Sequence, residues 1–113
     1  MSGLQRRLGL WLQAAFGGRF TSPQDRALRV LEEAVELTQA VGIGRDVARR
    51  MVEHVYDRPA GDPVQELAGV LNSTLLTATA LGVDGYEEGS RELAQAWKRI
   101  DLIRAKQKDK VML

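Results

Sequence analysis

The sequence predicts an all-α fold, a four-helix-bundle-like domain with one additional short helix, and three observations carry that reading. Apolar residues recur at helical spacing through most of the 113 residues. Helix-start and helix-stop signals alternate along the chain. No segment shows the apolar–polar alternation of a strand, and no internal repeat is present.

Helix one spans about Gly3–Phe16, with Leu4, Leu8, Trp11, Leu12 and Ala15 on one face, and stops at Gly17-Gly18. Arg6-Arg7 ahead of Leu8–Leu12 superficially resemble a signal sequence, but Gln13 interrupts the apolar run. The segment is therefore read as an amphipathic helix packed on the domain. Ser22-Pro23-Gln24-Asp25 supplies an N-cap, a first-turn proline and a reciprocal capping carboxylate. Helix two follows, about Pro23–Val41, with Gly42 as its stop. Its apolar residues cover more than one face, which predicts burial on two sides.

Helix three, about Arg45–Tyr56, is shorter and more charged, and Arg58–Pro63 is a turn-rich break. Asp62 and Pro63 restart the chain as helix four, which runs to about Leu81 and ends at Gly82. Leu67–Val83 carries no charge, yet it falls just short of a membrane span and contains Asn72, Ser73, Thr74, Thr77 and Thr79. A buried central helix is expected there. Asp84 and Glu87 form a capping box before helix five, about Gly85–Lys108, with fraying from about Asp109.

Length fits a single domain over residues 1–113, with a core small enough that oligomerisation would help it. A net charge of +1 makes no case for stable nucleic-acid or membrane binding. Without cysteine there are no disulfides, thiolate metal sites or thiol nucleophiles, which fits a cytoplasmic protein. One histidine, His54, argues against His-based metal sites and a Ser-His-Asp triad. It reads as an ordinary, partly exposed side chain.

Chemistry is concentrated in Leu31-Glu-Glu-Ala-Val-Glu-Leu37. At 100° per residue, Glu32, Glu33 and Glu36 share a sector of roughly 100°. Like charges at this spacing repel, and burial would make them costly unless a cation compensates. A hard divalent cation suits such an oxygen-donor set. A further carboxylate, Glu66, opens the otherwise uncharged helix four, with Asp62 about 40° away and read first as the N-cap.

This arrangement resembles the MazG-like all-α nucleoside triphosphate pyrophosphohydrolases, which carry Glu-Glu-x-x-Glu on one helix and Glu-x-x-Asp on a later one. The first motif is complete as Glu32-Glu33-Ala34-Val35-Glu36. The second reads Glu66-Leu67-Ala68-Gly69, so glycine stands where the family has aspartate. The phrase from Tyr56 to Val70 looks like a bacterial and phage-associated branch of the family, and the resemblance covers roughly Arg26 to Lys106. It implies Mg²⁺, or Mn²⁺, held by Glu32, Glu33, Glu36 and Glu66. It also implies hydrolysis of a nucleoside triphosphate to monophosphate and pyrophosphate, and a homodimer or homotetramer.

The family also uses basic residues of a late helix for substrate phosphates; Lys98, Asp101 and Arg104 of helix five are candidates to contact substrate, with Arg58 in the turn before helix four. Each has a plainer role as a solvated surface residue, and cations near a helix C-terminus are favourable there in any case. Trp11 and Trp97 offer stacking faces for a base but read first as core. Gly69 opens two other possibilities: a nucleotide- or metal-binding protein without turnover, or a structural helical oligomer whose glutamates pair with Arg or Lys.

Overall fold

A computed structural model describes residues 1–106, which form six helices and no strand. They are α1 (Gly3–Phe16), α2 (Pro23–Ala40), α3 (Arg45–Tyr56), α4 (Pro63–Leu81), α5 (Gly85–Lys98) and α6 (Ile100–Lys106). The all-α expectation holds. Caps set most boundaries as the sequence indicates. Ser22 Oγ accepts from the Asp25 N–H at 3.1 Å and donates to the Asp25 carboxylate at 2.9 Å. Asp84 accepts from the Glu87 N–H at 2.9 Å. Helices α2 and α4 end alike. Gly42 (φ 91°) and Gly82 (φ 77°) take the left-handed conformation. The next N–H, of Ile43 or Val83, then reaches back to Thr38 O or Ala78 O.

The chain forms two compact units. One comprises Met1–Arg19 and the described residues from Pro63 onward. Here α1 packs on α5 and α6, and α4 packs on α5. Its core is small: Ala15, Phe16, Ala78 and Leu93. Trp11 meets Phe16 edge to face, with ring centroids 5.9 Å apart. Arg7 donates to Ser90 Oγ at 3.1 Å, tying α1 to α5.

The expected fifth helix is two helices. Arg99 leaves the helical conformation (φ −111°, ψ 19°), and its N–H turns to Ala96 O. No glycine or proline marks the joint, and beyond it α6 is tied to α1 by a long-range contact. The bend carries Arg104 to the end of α1, where its Nε donates to Ala15 O at 2.9 Å and its Nη2 to Ala14 O. These carbonyls belong to the last turn of α1, whose oxygens have no partner within the helix. The expected run to Lys108 and fraying from Asp109 lie outside the described residues.

The second unit, Phe20–Asp62, is the α2–α3 hairpin. The expected burial of α2 on two sides is not what the chain shows: neither α2 nor α3 has a buried residue. Helix α4 departs from expectation in the same way, with Ala78 its one buried residue. Periodicity marks a face that seeks apolar company, but it does not say that the same chain supplies it.

Candidate functional site

Helix α2 presents the glutamate cluster as the spacing requires. Glu32 is part-buried, while Glu33 and Glu36 are exposed. The cluster therefore avoids the large desolvation cost that a buried helix would impose. Glu32 is compensated locally, because Arg29 Nη1 lies 3.1 Å from its carboxylate, one turn back. The Arg29 side chain is 14% exposed, so this pair is better sheltered than an ordinary surface bridge. One turn further back, Arg26 donates to Phe20 O at 3.1 Å. Burial pushes the Arg26 guanidinium below its ordinary pKa, the like charge of Arg29 adds to this, and Asp25 opposes it. Arg26, Arg29, Glu33 and Glu36 thus form a charged stripe at three- and four-residue spacing.

Glu36 differs from Glu32. Its side chain forms no hydrogen bond or ion pair among the described residues, and it lines a groove between α2 and α3 of about 960 Å³. Val35, Ile43, Val47 and Met51 give that groove an apolar wall, and Arg45 and Arg49 stand at it as cations. Its size lies at the upper end of the range for small-molecule sites. Sequence reasoning missed Arg26, Arg29, Arg45 and Arg49. The signal was present in the helical spacing, since Arg26 and Arg29 precede Glu33 and Glu36 by seven residues each.

The other candidates divide between the units. Arg58 follows α3 and is exposed, its N–H bonded to Val55 O at 3.1 Å. Glu66 lies in the first turn of α4, exposed and without a partner among the described residues. Lys98 closes α5 and Asp101 opens α6, both exposed. Arg104 spends its guanidinium on the α1 carbonyls and on Asp101 at 3.4 Å. His54 is exposed in the last turn of α3. Trp11 is half-buried against Phe16, whereas Trp97 is 44% exposed and lines a small groove with Arg7 and Leu10.

The donor chemistry of Glu32, Glu33, Glu36 and Glu66 suits a hard cation, since all are carboxylate oxygens. Among the described residues no group of three or more His, Asp or Glu side chains converges on a metal-sized position. Gly69, where the resembling motif has aspartate, has nothing within 4 Å of the position a Cβ would take. Ser73, one turn beyond it, is exposed, as is Asn72. No family model matches the chain, and neither does any curated protein or solved structure.

Among the described residues no single helix is long and apolar enough to cross a membrane; α4 and α5 pass a length-and-composition test only as a pair bent by 97°.

Proposed function

We propose that this protein is a MazG-like nucleoside triphosphate pyrophosphohydrolase, acting with Mg²⁺ or Mn²⁺. The observation that carries the reading is Glu36. It is an unpaired carboxylate within Glu32-Glu33-Ala34-Val35-Glu36, and it opens onto an apolar groove flanked by Arg45 and Arg49. An apolar wall suits a base, and guanidinium groups suit phosphate oxygens.

Water attacks the triphosphate, the bond between the α- and β-phosphates breaks, and nucleoside monophosphate, pyrophosphate and a proton leave. Following the resemblance, Glu32, Glu33 and Glu36 of α2 would hold a metal ion, which would neutralise phosphate charge. Glu36, whose carboxylate pairs with no side chain among the described residues, would accept the proton of the attacking water. Arg29 holds the Glu32 carboxylate one turn along α2. Arg45 and Arg49 attract the anionic substrate to the groove. Cytoplasm is the compartment this reading implies, since it holds the substrate pool.

A second reading has its own observation. Gly69 supplies no ligand, so the chain would bind nucleotide or metal without turning it over. One assay separates the two: pyrophosphate release from canonical and modified nucleoside triphosphates with Mg²⁺ or Mn²⁺, alongside nucleotide binding. Release supports the enzyme; binding without release supports the second reading.

A further inference from the structure

The α2–α3 groove contains one side chain to which the proposed reaction gives no task. Gln39 lines it, one turn beyond Glu36 and about 40° around α2 from Val35. Its carboxamide pairs with no side chain among the described residues. The other polar side chains at the groove differ from it in kind. Thr38 is neutral, but its hydroxyl already donates to Ala34 O at 2.7 Å. An ionised Glu36 only accepts hydrogen bonds, and Arg45 and Arg49 only donate them. Gln39 therefore brings a donor and an acceptor side by side, both uncommitted.

We infer that Gln39 is a specificity-determining residue of this groove, its carboxamide pairing with the edge of the nucleobase. The inference rests on the proposed nucleotide reading. Sequence position sets the layout. Glu33 and Glu36 precede Gln39 on α2, by about 9 Å and about 4.5 Å along the helix axis. With the phosphates at the glutamates, the base lies toward the α2–α3 turn, where Gln39, Ile43 and Val47 line the groove. Ile43 and Val47 can cover the face of a base, but they offer its edge nothing. A polar edge taken from water without a partner costs free energy. Every standard base presents a ring nitrogen beside an exocyclic amino or oxo group, one of the two a donor and the other an acceptor. A carboxamide complements that pair and, turned over, complements the reverse order. Gln39 thus does not choose among the standard bases. It selects nucleotides whose base keeps this edge intact, against those whose exocyclic group is lost or alkylated.

The test compares each base with the analogue in which hydrogen replaces that exocyclic group. The pairs are adenosine with purine riboside, guanosine with 2-aminopurine riboside, and cytidine or uridine with pyrimidin-2-one riboside. Pyrophosphate release is measured on the triphosphates, and binding on the monophosphates by calorimetry. For the base that wild type binds best, the analogue is expected to bind roughly three- to tenfold more weakly. Its KM should rise by the same factor with kcat little changed, since the edge contact is made before and during the reaction. Gln39→Met keeps the length of the side chain and removes the amide. It should bring the standard base down to the level of its analogue and leave the analogue unaffected. A wild type indifferent to the exocyclic group, or a Gln39→Met protein that keeps the preference, overturns the inference, and the pyrophosphohydrolase reading stands if turnover persists. A preference seen in monophosphate binding and lost in Gln39→Met, with no triphosphate turned over, upholds Gln39 and removes the reaction. Binding of no nucleotide overturns both.

Discussion

Glu36 and Gly69 hold the functional argument at the scale of single residues. Glu36→Gln keeps the size and helical propensity of the side chain while removing its charge. It should lower any pyrophosphate release at least about 100-fold, as loss of a general base does, with far-ultraviolet circular dichroism unchanged. Undiminished turnover would remove Glu36 from the mechanism. Gly69 sits in open space in a helix interior. Gly69→Ala should therefore stabilise the protein by up to about 1 kcal/mol in urea unfolding. Gly69→Asp supplies the carboxylate that the resembling motif has at this position. It is expected to tighten Mn²⁺ binding in a calorimetric titration, and unaltered affinity would detach Gly69 from the metal question. The glutamate cluster was legible in the sequence, because three carboxylates within five residues stand out against an apolar background. Its counter-charge was not. Reading α2 as buried made a metal ion the natural compensation, whereas Arg29 already pairs with Glu32 on an open helix.

Helix limits were legible wherever local chemistry sets them. Ser22 with Asp25, Asp84 with Glu87, and the glycines at 42 and 82 act within a turn of their own backbone, so sequence neighbours reveal them. The joint at Arg99 was not legible because no glycine or proline marks it, and the contact that holds α6 beyond it reaches about 90 residues away in the chain, to the carbonyls of Ala14 and Ala15. Two element-scale outcomes follow. Arg104→Met keeps the apolar stem and removes the donors, so it should cost about 1–2 kcal/mol in chemical denaturation. An Arg104→Met protein as stable as wild type would mean that α6 is not held through this contact. Gly42→Ala forces a Cβ into the left-handed conformation that closes α2, at a cost of about 1–2 kcal/mol. Stability unchanged in that variant would show that the α2–α3 turn relaxes at little cost.

Over the whole molecule, helical patterning was easier to read than burial. The apolar residues of α2 and α4 recur at helical spacing, but among the described residues α2 and α3 bury none of theirs and α4 buries only Ala78. Such stripes measure demand for a partner, and they assign that partner to the same chain, a ligand or a second copy only when charge and area are considered as well. Under the proposed function, the α2–α3 groove, with its arginines and the unpaired Glu36, is the part of that surface that would take the nucleotide. The central claim is that the groove and its carboxylates cleave nucleoside triphosphates. Its most direct test is to incubate the purified protein with a panel of canonical and modified nucleoside triphosphates and Mg²⁺ or Mn²⁺, and to quantify pyrophosphate and monophosphate together. The account predicts equimolar pyrophosphate and monophosphate from at least one member of the panel, abolished by metal chelation. Release of inorganic phosphate alone, or no product from any triphosphate by a folded protein, would contradict it.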